Sequence, residues 1–397
     1  MNRRSFLQNS AAFAGTAALA GCVHRSTKSS PATAPPLAPY DAVAPIIPIR
    51  ADLDRIFRIT VCLRPFRAAG PRIEAEPLND KIVVHNYGHG GSGWSLSWGS
   101  ADVAVRKALA ALNGSQQIAV IGCGAIGLTS AITAQRAGLK VTIYAKERPP
   151  FVRSSRATGS WTPDSRIALT SVAPTEFAAQ WESMARASFA MYQSYLGSPG
   201  SPVEWTDRYL LSNPQSTSQP DTPQQHDFAY YNNRIHDLTP RFHDLPPAST
   251  PFAAASVSRN TSMTFNIADY SRQLLSDFLI AGGVIETREF HVPQDLTTLP
   301  QRVLINCTGY AARQLWSDDS LIPIRGQIAW LIPQEGINYG VYSGDLNVLA
   351  RRDGIVVQTN PQGDDTGWND SNEEPDRAAA EAGVRELQQL YRLPEKT

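Results

Sequence analysis

One segment constrains this chain more than any other. From Gln117 the sequence reads Ile118-Ala119-Val120-Ile121-Gly122-Cys123-Gly124-Ala125-Ile126-Gly127-Leu128, keeps a helical pattern to Gly138, and resumes with Val141-Thr142-Ile143-Tyr144. An apolar strand, a glycine turn, a helix and a second β-branched strand make a βαβ unit, which requires a parallel sheet in an α/β fold. The three glycines have separate physical tasks: Gly122 permits the tight turn, Gly124 lets backbone approach a pyrophosphate, and Gly127 lets helix and strand pack closely. The helix that opens at Ala125 and Ile126 then faces an anion with the positive end of its dipole. A dinucleotide site commonly adds an acid at the end of the second strand. Here that place reads Ala145-Lys146-Glu147, so either Glu147 reaches the ribose one residue late or Lys146 meets a phosphate or ribose instead. This segment alone leaves nicotinamide and flavin dinucleotides open.

A second glycine-rich stretch comes earlier. It reads Val83-Val84-His85-Asn86-Tyr87-Gly88-His89-Gly90-Gly91-Ser92-Gly93-Trp94-Ser95-Leu96-Ser97-Trp98-Gly99 and feeds an Ala-rich helical run to about Ala111. Five glycines between Gly88 and Gly99 break any helix over the loop. His85 and His89 therefore do not project from one helical face, and no metal is expected there. A glycine loop that feeds a helix instead offers bare backbone amides to a flat or anionic ligand.

The length of 397 residues suggests two domains. Its 36 basic and 36 acidic side chains cancel and show no basic cluster, which argues against a nucleic-acid partner. Cys22, Cys62, Cys123 and Cys307 are too scattered for a disulfide framework or a paired zinc site. At the start, Arg3-Arg4 and Phe6-Leu7 precede an Ala/Gly stretch that is too short and too weakly apolar to span a bilayer. This reads as a signal of the twin-arginine type, which exports folded proteins. Leu19-Ala20-Gly21-Cys22 resembles a lipoprotein cleavage site. Residues 1–21 are thus expected to be an export signal, Cys22 to carry a lipid that holds the protein to a membrane on the periplasmic side, and residues 22–50 to be a flexible tether rich in Ser, Thr, Ala and Pro.

The early glycine loop resembles the HNYGHGG signature of the D-amino-acid oxidase family. Phe57 to Arg67, with Arg64-Pro65, resembles the family strand that carries an Arg-Pro pair. Ser154 to Pro163 resembles its flavin-covering loop, and Val303 to Gly309 its second flavin-facing strand and turn. Arg325-Gly326-Gln327-Ile328 and Phe265-Asn266-Ile267 match as well, so the resemblance runs from about residue 55 to 397. The order differs, because the family places the dinucleotide turn first and the Arg-Pro strand and HNYGHGG loop last. The sequence therefore resembles a circular permutation of the family, joined at Asn113-Gly114-Ser115.

The resemblance implies a mixed α/β fold: a Rossmann-like FAD-binding domain, approximately residues 51–170 and 270–320, and a substrate domain with a large mixed β-sheet, approximately 171–269 and 321–397. It implies that FAD is held by Gly122, Gly124, Ala125, Ile126, Gly127 and Glu147, by Ser154, Ser155, Gly159 and Ser160, by Gly90, Gly91, Ser92, Gly93, Trp94 and Ser95, and by Thr308 and Gly309. The implied reaction is oxidative deamination of a D-amino acid or related small amine acid, with O2 reduced to H2O2. A dehydrogenase with another electron acceptor, or a non-catalytic lipoprotein that keeps the fold as a binding module, are the alternatives, the latter supported by Lys146 and Asn347. Arg64 matches the arginine that forks onto the substrate carboxylate, a task its planar donor pair suits. Gly91 backbone is expected to receive the amine, Tyr342 to lie with Tyr339 on a lid, and Asn347 to stand where the family commonly has a substrate tyrosine. Trp161 and Trp368 are expected to pack, and Arg67 to be a solvated strand-end arginine. Substrate side chain and oligomeric state are left open.

Overall fold

The computed structural model describes residues 46–212 and 224–392. The expected export signal, with Arg3 and Arg4, and the expected lipid-bearing Cys22 lie outside the described residues. In chain order the strands are β1 (Ile56–Arg67), β2 (Ala75–Leu78), β3 (Lys81–His85), β4 (Gln117–Ile121), β5 (Lys140–Ala145), β6 (Val203–Ser212), β7 (His243–Leu245), β8 (Ser256–Phe265), β9 (Val284–Thr287), β10 (Val303–Asn306), β11 (Leu321–Leu331), β12 (Tyr339–Ser343), β13 (Leu346–Arg351) and β14 (Gly354–Thr359). The helices are α1 (Gly93–Ala110), α2 (Ala125–Arg136), α3 (Phe177–Gln193), α4 (Ile267–Ile280), α5 (Ala312–Leu315) and α6 (Arg377–Gln389).

Six strands form one sheet in the order β2-β3-β10-β4-β5-β9, parallel throughout except for β2 at its edge. Its central strands are apolar on both faces, as in the fully buried run Val303–Asn306, because helices cover a parallel sheet on both sides. α2 buries Leu128, Ala131 and Ile132 and stops at Ala137, where Gly138 takes φ +87° and the left-handed turn that ends helices. α1 packs against both α2 and α3.

Eight strands form the second sheet in the order β1-β11-β14-β13-β12-β6-β8-β7. Alternation decides what each of its faces does. One face carries Tyr209, Val341, Val348 and Val357, which pack under Val384, Leu387 and Leu390 at the C-terminal end of the described chain. α6 presents that apolar stripe and is capped by Asp376, whose carboxylate accepts from Ala379 N at 3.0 Å. The other face carries Cys62, Arg64, Gly326, Ile328, Asn347 and Gln358, all of which line a cavity.

Two expectations are corrected here. Ile56–Arg67 belongs to the eight-stranded sheet, not to the dinucleotide half, because it pairs antiparallel with β11 from Ile56↔Leu331 to Arg67↔Leu321. Residues 46–50 are docked, not tether: Ile49 is 5% exposed, Tyr339 Oη donates to Ile47 O at 2.7 Å, and Arg50 N donates to Gln334 Oε1 at 2.8 Å. Their apolar side chains explain it, since Ile46 and Ile49 join the cluster that holds Leu390 and Ile56. Among the described residues no helix is long and apolar enough to cross a membrane.

Candidate active site

The cavity has a volume of about 400 Å³ and is walled by both sheets. β3, β4, β5 and β10 all point their C-terminal ends at it, the place where open parallel sheets bind ligands. Six of its lining side chains are cationic (Arg64, Lys146, Arg153, Arg156, Arg166, Arg288) and two acidic (Glu147, Glu289). Lys146, Arg153, Arg156 and Arg166 are held in ion pairs with Glu289, Glu373 and Asp364, which leaves Arg64 and Arg288 as the lining cations without an ion pair among the described residues and able to meet an anionic occupant.

At one end stands the βαβ turn. Gly122 has φ +105°, and a Cβ there would lie 2.6 Å from Cys307 O; one at Gly127 would overlap Gly122 O. Those two glycines serve packing, and Gly127 does not line the cavity. Gly124 is different, because a Cβ there would meet only the Ser154 side chain, at 3.2 Å from its Oγ. It leaves the start of α2 open to a ligand, with Ala125 and Ile126 on the wall. Ser154 is held in place from both sides: its hydroxyl accepts from Ala125 N at 3.1 Å and its carbonyl from Trp94 Nε1 at 2.8 Å. Glu147 lines the cavity, whereas Lys146, also on the wall, is bound to Glu289 at 2.7 Å. The ion pair leaves Glu147 as the open carboxylate after β5. Thr308 and Gly309, just past β10, complete this end.

The second glycine loop is built otherwise. Gly90 N donates to Pro65 O, Gly91 N to Ser165 O and Ser92 N to His89 O, at 2.8, 2.9 and 2.9 Å. The Gly90, Gly91 and Ser92 amides are therefore spent within the chain. A Cβ at Gly90 would overlap Arg166 O, and one at Gly91 would lie 2.5 Å from Ser165 Oγ. The glycines are needed because the Ser165–Arg166 backbone lies on them. The loop's side chains are tied inward too: His89 Nε2 meets Ser100 Oγ at 2.7 Å, Ser100 Oγ donates to Asn86 Oδ1, and Asn86 Nδ2 donates to Ser130 Oγ at 3.2 Å. Burial pushes the His89 imidazole down to about 3. His85, pushed down to about 4 by burial and then by Arg72, meets Glu76 at 3.0 Å.

The other end of the cavity is polar. Arg64 donates to Arg325 O at 3.2 Å and has no carboxylate within ion-pair distance among the described residues. Burial, then repulsion from Arg166, brings its pKa down to about 10, so it stays cationic at neutral pH. Arg166 is bound to Asp364 at 3.2 Å and to the carbonyls of Asp364 and Gly363 at 2.7 and 3.1 Å. It fastens that loop to the wall while sitting at φ +49°, a conformation that side chains other than glycine adopt at a cost. Asn347 Oδ1 and Ser160 Oγ are buried here without a hydrogen-bond partner. Buried polar atoms are almost always paired, so both mark places for ligand donors. Gln358 and Asn360 flank Asn347, with Gln358 accepting from Thr158 Oγ1 at 2.9 Å. Burial raises the Cys62 thiol above its usual range despite three nearby arginines, which removes it as a thiolate nucleophile.

Of the residues singled out from sequence, Arg64, Gly91, Asn347, Gly122, Gly124, Ala125, Ile126, Glu147, Ser154, Gly159, Ser160, Gly90, Gly93, Trp94, Thr308 and Gly309 line the cavity. Five do not. Tyr342 sits on β12 opposite Asn347, one strand further from β1 and Arg64. Ser92 donates to Ser165 O at 3.1 Å, and Ser95 accepts from Thr162 N at 2.8 Å, so both hold the covering loop and do not face a ligand. Ser155 and Gly127 are likewise set behind the wall. Arg67 is half-buried rather than freely solvated: it donates to Ser320 Oγ at 2.8 Å and packs on Gly88. Trp161 and Trp368 pack against aromatic neighbours. Arg166, Gln358, Asn360, Arg153 and Arg156 also line the cavity but are not among the residues singled out from sequence; the covering-loop segment from Ser154 points to Arg156 and its neighbour Arg153, whereas the other three have no local sequence signal.

A dinucleotide fits this wall. The open glycine at the start of α2, the carboxylate of Glu147 after β5, the cationic excess and the two orphaned acceptors lie along one continuous cavity. Gly122–Ile126 and Thr308–Gly309 would hold its phosphates, and Glu147 its ribose.

A model of the DAO family, described as FAD dependent oxidoreductase, matches residues 117–395. The chain is 26% identical over 276 residues to the D-amino-acid oxidase of Rubrobacter xylanophilus, covering 68% of this chain and 76% of that one. It is 25% identical over 226 residues to the D-amino-acid oxidase of Dictyostelium discoideum, covering 53% and 55%. Among solved structures it is similar to glycine oxidase from Geobacillus kaustophilus, with a TM-score of 0.47 and 13% identity over 70% of this chain and 81% of that one.

Proposed function

The chain belongs to the DAO family of FAD dependent oxidoreductases, and from that premise we propose that it oxidises a D-amino acid or related small amine acid to the imino acid, which water converts to the keto acid, with O2 reduced to H2O2. The observation that carries the proposal is Arg64, a half-buried cavity-wall guanidinium with no carboxylate within ion-pair distance among the described residues. A charge drawn partly out of water without a partner is costly, and a substrate carboxylate offsets that cost with two parallel hydrogen bonds. Bound FAD supplies the hydride acceptor. The chain's own residues orient the substrate. Arg64 holds the carboxylate, Asn347 Oδ1 accepts from the ammonium group, and Gly91, whose amide is already taken, has only its carbonyl to offer the amine.

The test is a visible spectrum of the purified holoprotein under nitrogen, with D- and L-amino acids added in turn. Bleaching by D isomers and rapid reoxidation on admitting air support the reading. Bleaching without reoxidation by O2 would assign a dehydrogenase, and no bleaching by any amine acid would overturn the substrate class.

The segment order supports a further reading, that the chain is a circular permutant of its family. Residues 46–116 lie outside the family match yet supply β1, β2, β3 and α1. Moving residues 46–112 behind residue 392 should then give a folded flavoprotein, and an insoluble product would count against it. Arg3-Arg4 and Leu19-Ala20-Gly21-Cys22 support export in folded form and lipid anchoring at Cys22. Arg3→Lys with Arg4→Lys should retain the protein in the cytoplasm, and Cys22→Ala should abolish lipid labelling.

A further inference from the structure

On the cavity-facing side of the eight-stranded sheet, an arginine lies across a glycine of the adjacent strand twice. Arg64 lies over Gly326: a Cβ built there would sit 2.5 Å from Nη1 and 2.6 Å from Cζ. Arg208 lies over Gly340, where a Cβ would sit 2.5 Å from Nη1, 2.9 Å from Cδ and 3.0 Å from Val348 O. The surroundings differ. Arg208 is 3% exposed and donates to Thr264 Oγ1 at 2.7 Å; it does not line the cavity. Arg64 and Gly326 both do.

We infer that Gly326 is the positioning residue of the carboxylate anchor: its missing side chain is the space in which the Arg64 guanidinium lies against β11, with Nη1 on Arg325 O, instead of standing into the cavity. This rests on Arg64 holding the substrate carboxylate, as proposed above. The nearest atoms to a new methyl at Gly326 all belong to the far end of one flexible side chain. That end yields before any backbone does, so the substitution moves the anchor and leaves the fold alone. At Gly340 the neighbours are a carbonyl oxygen and an enclosed guanidinium. Nothing there yields, and the same substitution falls on stability.

The experiment compares the holoprotein with Gly326→Ala, Gly340→Ala, Arg64→Ala and the double variant Gly326→Ala/Arg64→Ala. It reads flavin content, Tm, kcat and KM for the best D-amino acid, and the Kd of propionate from thermal shifts. Gly326→Ala is expected to keep flavin and Tm while KM and the propionate Kd rise by about tenfold or more, since a misplacement of about 1 Å can cost a hundredfold. The double variant is expected to be no worse than Arg64→Ala, because both changes act through one guanidinium. Gly340→Ala is expected to lower Tm and leave the KM of the flavin-loaded protein unchanged. Unchanged KM and propionate affinity in Gly326→Ala would overturn the inference even if D-amino acids are oxidised, as would losses that add in the double variant. If no D-amino acid reduces the flavin, the proposed reaction fails, and the propionate measurement still decides on Gly326; a wild-type protein that binds no propionate overturns both.

Discussion

The two glycine loops of this chain look alike in sequence and do opposite things. At Gly122–Gly127 the middle glycine opens the start of α2 to the cavity, and the backbone there meets only the Ser154 side chain. At Gly88, Gly90 and Gly91 the space that glycine creates is filled by the chain itself, as Arg67 packs on Gly88 and the Ser165–Arg166 backbone lies on Gly90 and Gly91 and takes the Gly91 amide, and only Gly93 at the end of the loop is left open to the cavity. Glycine density thus signals close approach of backbone. Which partner approaches is set by where the rest of the fold runs: the first loop is a cradle, the second a joint that presses the Arg166 segment, and the loop Arg166 holds, onto the cavity wall.

The largest effect that separates them is expected at Gly90. Gly90→Ala places a methyl on Arg166 O at φ +54°, with rigid backbone on both sides, and should cost more than about 3 kcal/mol. Poor solubility or a large loss of Tm checks this in apoprotein and holoprotein alike; a stable variant that had merely lost flavin would make the second loop a cradle too.

Acid is expected to act on the joint next. His85 and His89 stay neutral in the fold down to about pH 4 and 3, against 6.5 in the unfolded chain. Below pH 6.5 the unfolded chain binds the extra protons, so their stabilising share is complete above that pH and is lost as pH falls. Each contributes a slope of up to about 1.4 kcal/mol per pH unit. Urea titrations between pH 7 and 5 should show stability falling, with a shallower fall in His89→Gln; identical slopes would contradict the buried neutral histidine.

The smallest of the three belongs to the cradle. Gly124→Ala meets only a hydroxyl, so Tm of the apoprotein should barely move while FAD affinity drops roughly tenfold, about 1.4 kcal/mol. Equal FAD affinity would mean that the start of α2 does not face the cofactor.

How much of this was legible depended on how local the determinant is. The βαβ turn and the early glycine loop are each one unbroken stretch of sequence, and most of the residues singled out in them reach the cavity. Arg166, Gln358 and Asn360 arrive from a strained turn and a distant strand that only the tertiary fold brings near Arg64, and nothing beside them in the chain announces it. Ser92 and Ser95 were misread because a hydroxyl at a helix start can face a ligand or a neighbouring loop, and here Ser165 and Thr162 stand on that side. Tyr342 shares a sheet face with Asn347, but strand order, invisible in sequence, puts it one place too far out. Lys146 and Glu289 needed β9 beside β5 before their pairing could be seen.

The central claim is that Arg64, outside the matched family region, anchors the carboxylate in a flavin cavity built mostly from residues inside it. The direct measurement is kcat/KM of Arg64→Ala for the best D-amino acid, taken with its flavin content. Removing one partner of a buried pair costs on the order of 3 kcal/mol, so a loss of roughly a hundredfold is expected in a protein that remains yellow and folded. Wild-type kcat/KM in a flavin-loaded Arg64→Ala protein would contradict the account.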